Sequence, residues 1–144
     1  MRKALALASS MLAAAGLIVS AYLLWEALIT PAGSCPLSLS RFFGCSVVLA
    51  SSYARIAGLP TSILGVGWFL VALSLGLVVL RNPKLVVALL VWSLIGLVGV
   101  VWLMYIEFVV IGAICPFCTS AHILELSVLA ITVALWRERR TKPA

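Results

Sequence analysis

Residues 85–136 read LVVALLVWSLIGLVGVVWLMYIEFVVIGAICPFCTSAHILELSVLAITVALW. This stretch holds two apolar runs, each long enough to cross a bilayer, for which about 20 residues suffice. Between them stands Cys115-Pro116-Phe117-Cys118. The first run, from Leu85 to about Ile114, is longer than a crossing needs. The crossing itself should end near Tyr105, with Trp102 and Tyr105 at the interface and Glu107 just outside the hydrocarbon. The second run opens at Pro116, whose missing N–H is no loss at the first position of a helix. Cys115 then falls near the N-cap and Cys118 in the first turn, where backbone N–H groups and the helix dipole favour a thiolate. Such a pair can be redox-active, a plain structural disulfide, or half of a metal site.

Upstream, residues 60–80 form another apolar run, joined to the first by the tight basic turn Arg81-Asn82-Pro83-Lys84. At the start, Met1-Arg2-Lys3 precedes an apolar run over residues 4–29. A secretory signal peptide begins in the same way, with Ala13-Ala14-Ala15 as a candidate cleavage site. The run continues 14 residues beyond Ala15, however, and a signal core is shorter, so an uncleaved first span is expected. Glu26 falls near its far end, within reach of water.

Of the 144 residues, 65% are hydrophobic and only 10% charged, which excludes an ordinary water-soluble domain. The net charge of +6 does not indicate nucleic acid. Its basic residues sit at the chain ends and in one turn, without the interleaved aromatics that single strands need. The expected fold is an all-α membrane protein, a four-transmembrane-helix bundle forming a single membrane domain over residues 1–144. Its spans are about 4–29, 60–80, 85–105 with an extension to 114, and 116–136, followed by a basic tail.

The long polar interruption, residues 30–59, contains Pro31, Gly33, Cys35, Pro36, Gly44, Cys45 and Gly58, all turn or loop signals or cysteines. Within it, residues 46–57 have no helix breaker and suggest a short amphipathic helix along the membrane surface, with Arg55 facing water. Phe42 and Phe43 either dip into lipid or pack within the loop. The loop is expected to cap the bundle on its outer side.

Eight basic residues, Arg2, Lys3, Arg81, Lys84, Arg137, Arg139, Arg140 and Lys142, fall on one side of this topology, and Arg41 and Arg55 on the other. The asymmetry places both termini in the cytoplasm. All four cysteines, Cys35, Cys45, Cys115 and Cys118, then lie outside, in a compartment that permits disulfides. Two pairs in one compartment permit a relay by thiol–disulfide exchange, and a lipid-soluble quinone can serve as its terminal acceptor. On the fourth helix, Cys118, His122 and Glu125 recur at i, i+4 and i+7 and share a face. His122 is the single histidine of the chain. It is either a hydrogen-bond donor to a quinone held there or a structural bond between helices. Glu125 could partner His122 or bond a neighbouring helix. Gly65, Gly67, Gly76, Gly96 and Gly99, with Ser62, Ser74 and Ser93, suit close helix packing.

These motifs together resemble the vitamin K epoxide reductase (VKOR) family in its bacterial and archaeal type. The residues that carry the resemblance are Cys35 and Cys45 in the first outer loop, Val47-Val48-Leu49-Ala50-Ser51-Ser52-Tyr53-Ala54, Gly58-Leu59-Pro60 before the second span, and the Cys-x-x-Cys that opens the fourth. The DsbB family has a similar architecture, but its Cys-x-x-Cys lies in the first outer loop. The resemblance implies that Cys35 exchanges with a thioredoxin-like (DsbA-like) partner, that Cys45 shuttles to Cys115, and that Cys118 meets the quinone, menaquinone, ubiquinone or a relative. It also implies that Ser51 lies close to the active disulfide. Where vertebrate members carry asparagine and tyrosine as quinone hydrogen-bond donors, this chain has Thr61 and His122. Both can donate, which keeps quinone reduction and weakens the case for epoxide reduction. Many bacterial members carry a fused thioredoxin-like domain; here the partner is expected to be a separate protein.

The expected function is therefore a membrane quinone-dependent thiol–disulfide oxidoreductase in the plasma membrane. Two readings compete with it. A soft-metal carrier could use four cysteines and one histidine, although the Cys35–Cys45 spacing is not a typical zinc spacing. A membrane scaffold stapled by two disulfides should show potentials below about −300 mV, and a relay higher ones.

Overall fold

The computed structural model describes residues 1–29, 44–56 and 58–141. Within them, four helices are long and apolar enough to cross a membrane. They are α1 (Arg2–Ile29), α3 (Ser62–Arg81), α4 (Val86–Tyr105) with its π-helical continuation Ile106–Ile111, and α5 (Pro116–Thr141). A short helix, α2 (Cys45–Ala50), precedes α3. Few of the residues in these spans are buried, and Ile18, Trp25, Val98, Val101, Trp102 and Ile123 stand well exposed, as a lipid-facing surface demands.

In lipid, apolar side chains gain little by leaving the solvent, so close packing and small residues hold helices together. Helix α1 packs along α3 and α5, and α4 packs on α5 and α3. Gly16 of α1 lies under the ring of Phe69. Gly65 and Gly76 of α3 face the Ser20 and Ser10 hydroxyls of α1, where an added Cβ would approach to 2.9 and 2.7 Å. Gly96 of α4 lies against Glu125 and Trp68. Gly67 and Gly99 meet nothing within 4 Å, so they are not packing residues. Helices α3 and α4 are also tied by a reciprocal pair of bonds. Trp68 Nε1–H donates to the Trp92 carbonyl at 3.3 Å, and Trp92 Nε1–H to the Trp68 carbonyl at 3.1 Å. Buried Ser10, Ser93 and Thr132 donate to the carbonyls of Ala6, Leu89 and Val128, one turn back in their own helices.

Antiparallel connections sort the helix ends. The guanidinium of Arg139, near the end of α5, donates to the Lys84 carbonyl in the α3–α4 turn at 3.1 Å, and both ends lie beside Arg2 and Lys3. The basic clusters thus share one end of the bundle. At the opposite end meet the start of α2, the start of α5 and the last turns of α1.

Three boundaries differ from the sequence expectation. The helix expected over 46–57 ends at Ala50, because Ser51 is extended, with φ −71° and ψ 150°. A 3₁₀ turn (Ser52–Ala54) and a two-residue hairpin follow, β1 (Arg55–Ile56) pairing β2 (Leu59–Pro60) antiparallel. Gly58 at its tip has φ +83°, a left-handed conformation that favours glycine. Helix α3 starts at Ser62 rather than Pro60, since Pro60 is taken by the hairpin and Thr61 N–H pairs with the Ala54 carbonyl at 2.9 Å. Helix α5 continues beyond Trp136 through the basic residues to Thr141.

Candidate active site

The cysteine end is built on the start of α5. Pro116 takes the first helical position, and the Cys115 carbonyl accepts the Thr119 N–H at 2.9 Å, which makes Cys115 the N-cap. Its sulfur accepts the Cys118 N–H at 3.3 Å, where serine or aspartate would usually offer oxygen. Cys115 is fully buried, and Cys118 is partly exposed.

The start of α2 lies at this point. Gly44 N–H donates to the Ile114 carbonyl at 3.2 Å, laying the start of α2 beside the α5 N-cap. Cys45, fully buried, brings its sulfur to 2.8 Å from the Cys115 sulfur. That separation is longer than a covalent S–S bond of about 2.05 Å and short enough for direct exchange. Leu23 of α1, with Val48, Leu49 and Phe117, walls the two sulfurs. The thiol of Cys115 is raised well above the usual thiol range by its hydrogen bond with the Cys118 side chain and further by burial, while the contact with Cys45 and the Cys118 backbone N–H pull the other way. Cys115 therefore holds its proton to higher pH than an ordinary thiol.

Glu107 lies behind these sulfurs, on the backbone that carries Cys115, and the sequence reading gave it no role there. It is 3% exposed, and its carboxylate accepts the backbone N–H of Cys115. Its own carbonyl accepts the N–H groups of Gly112 and, at 3.3 Å, of Ala113. The wide π-helical turn over Ile106–Ile111 and the left-handed Gly112, φ +67°, fold the connection back over Glu107. A lone acidic residue after a long apolar run is a weak sequence signal for this.

Other candidates are placed as follows. Cys35, Phe42 and Phe43 lie outside the described residues. Ser51 Oγ donates to the Val48 carbonyl at 2.8 Å, and Thr61 Oγ1 to the Ala54 carbonyl at 3.1 Å. Both hydroxyl protons are thus committed to local backbone. His122 is buried, and no hydrogen bond from its ring is made among the described residues. Glu125 turns toward Gly96 and Trp68 of the neighbouring helices, and its Oε1 has no hydrogen-bond partner among the described residues. The buried hydroxyls of Ser62 and Thr119 likewise have none. Thr119 precedes His122 by one turn and so shares its face.

One finding from comparison with known proteins bears on this arrangement. The family model described as "Vitamin K epoxide reductase family" matches residues 7–133, which include the site and most of all four spans.

Proposed function

The chain belongs to the vitamin K epoxide reductase family, and on that premise we propose that it catalyses disulfide formation outside the cytoplasm at the expense of a membrane quinone. Membership makes it an oxidoreductase of a membrane family linked to disulfide and quinone chemistry. The observation that carries the finer reading is the approach of the Cys45 and Cys115 sulfurs to 2.8 Å. A relay needs one bond between its two pairs, and this contact supports a bond between Cys45 and Cys115.

The reaction runs in balanced steps. A reduced thioredoxin-like, DsbA-like partner attacks the Cys35–Cys45 disulfide through Cys35 and leaves oxidised, with Cys35 and Cys45 as thiols. The Cys45 thiolate attacks Cys115 of the Cys115–Cys118 disulfide. The Cys45–Cys115 bond forms, and the electron pair of the broken bond leaves on Cys118. Cys35 then attacks Cys45, which restores Cys35–Cys45 and frees Cys115. Finally the Cys115–Cys118 bond re-forms as two electrons and two protons pass to the quinone, giving a quinol. Cys118 suits the contact with quinone because it is the less buried sulfur of its pair and lies in the first turn of α5.

His122 and Thr119 support the quinone end, since His122 is a buried residue whose ring makes no hydrogen bond among the described residues and Thr119 carries a buried hydroxyl without a partner there. Ser51 and Thr61 would have to give up their bonds to Val48 and Ala54 to reach a quinone carbonyl, which makes them secondary members of the site. The basic end of the bundle faces the cytoplasm and the cysteine end faces outward. The test is quinone absorbance with purified protein and a reduced DsbA-like donor. Quinone should be reduced at the rate at which donor dithiol is oxidised. Donor oxidation without quinone reduction would refute the reading.

A further inference from the structure

Glu107 is 3% exposed, at the end of a long apolar helix, and no described cation is paired with it. A carboxylate is rarely buried so deeply without a specific demand on it. Its surroundings show the demand. Its carbonyl takes the N–H groups of Gly112 and Ala113, and its carboxylate takes the N–H of Cys115. One residue thus gathers three N–H groups of the short connection that carries the reactive cysteine. The same connection receives Gly44 N–H at the Ile114 carbonyl, so the backbones beside both sulfurs are tied to it.

We propose that Glu107 is a positioning residue for the exchange between Cys45 and Cys115, holding the Cys115 backbone so that its sulfur stays in line with Cys45. The inference deepens the relay reading and rests on it. The step served is the attack of Cys45 on Cys115, in which the Cys45–Cys115 bond forms and the electron pair leaves on Cys118. That step depends on placement, because a displacement on the order of 1 Å can cost about 10²-fold in rate. The quinone step uses the Cys118 side of the pair, which lies within α5 and is held by its own helix. Loss of Glu107 should therefore separate the two steps.

Two substitutions and two electron donors test this. Glu107→Ala removes the acceptor, whereas Glu107→Gln keeps an amide oxygen that can accept the Cys115 N–H. With the DsbA-like donor, which must work through Cys45, Glu107→Ala should lose about tenfold or more in quinone reduction, and Glu107→Gln should recover most of it. With dithiothreitol in a background lacking Cys35 and Cys45, electrons enter directly at Cys115–Cys118. There Glu107→Ala should stay within about twofold of its parent, which a merely structural role would not allow. Equal losses with both donors, no loss with either, or failure of Glu107→Gln to recover would each overturn the proposal. A parent protein that reduces no quinone with either donor sinks the relay reading itself, and the role of Glu107 with it.

Discussion

The sulfur of Cys115 lies 2.8 Å from that of Cys45, although 70 residues separate them in the chain. A contact between two thiols buried to 0% exposure is not an incidental surface encounter. Replacing Cys35 and Cys118 by alanine removes both thiols that would resolve a bond between them. We expect that variant to accumulate the Cys45–Cys115 disulfide under mild oxidation. Mass spectrometry of a non-reducing digest should show the two peptides joined, and persistence of both as free thiols would count against the shuttle role of Cys45.

The Cys115 thiol is raised chiefly by its hydrogen bond with the Cys118 side chain. A raised pKa means that the thiol stays protonated, and so slow to alkylate, to higher pH. In the reduced protein Cys118 should be alkylated well before Cys115. Cys118→Ala removes the leading cause, so the pH midpoint for alkylation of Cys115 should move down. Peptide mapping after timed maleimide labelling across pH reads both effects. An unchanged midpoint in Cys118→Ala would show that burial alone sets the Cys115 thiol.

The grouping of Arg2, Lys3, Lys84 and Arg139 at the end remote from the cysteines makes a topological prediction. With that end in the cytoplasm, a single-cysteine variant retaining Cys35 should react with an impermeant thiol reagent in intact cells after reduction. Labelling that appears only after lysis would invert the orientation.

Gly96 and Gly99 lie on the same helix, but only Gly96 meets a neighbour. A Cβ at Gly96 would run into Glu125 and Trp68, whereas one at Gly99 meets nothing within 4 Å. Overpacking of this kind typically costs about 1–3 kcal/mol. Alanine in an open helical position gains up to about 1 kcal/mol over glycine. Gly96→Ala should lower the thermal midpoint in detergent, and Gly99→Ala should leave it unchanged or raise it. The opposite order would mean that α4 faces its neighbours differently.

What could be read from the sequence was local or set by length. Pro116 fixes the start of α5, and with it the N-cap place of Cys115, by a rule that needs no neighbour. Span length and basic residues sort the helix ends without knowledge of packing. What escaped depends on turns that fold the chain back on itself and on contacts between helices. The helix expected over 46–57 stops at Ala50, Thr61 pairs back with Ala54, and the strands between them form a hairpin. Gly67 and Gly99 look the same in sequence as Gly65 and Gly96, yet which face of a helix meets a partner is a property of the bundle. Glu107 escaped because a π-helical turn and a left-handed Gly112 are needed to bring its carboxylate back to Cys115. Cys118, His122 and Glu125 share a face by spacing. Glu125, however, leans to Gly96 and Trp68, and no hydrogen bond joins it to His122 among the described residues.

His122 carries the last prediction. It lies one turn below Cys118 on α5, buried, with its ring unbonded among the described residues. A quinone carbonyl grows negative as electrons arrive, and a donor already aimed at it contributes about 10²–10³ in rate in the strongest cases. The Thr119 hydroxyl, also without a partner among the described residues, shares the face and can take part of the load. We therefore expect His122→Ala to lower quinone reduction by about tenfold to 10²-fold, toward the low side of that range. Thr119→Val should lower it less, and Ser51→Ala and Thr61→Val least, because their protons already go to Val48 and Ala54. Exchange between the partner and Cys35 should be unaffected in all four variants. Cys118→Ala should abolish quinone reduction while still permitting mixed disulfides. Stopped-flow quinone absorbance beside a gel assay of partner exchange separates the two halves of the relay. Full turnover in His122→Ala would remove His122 from the site, and turnover surviving in Cys118→Ala would end the proposed order of the cysteines.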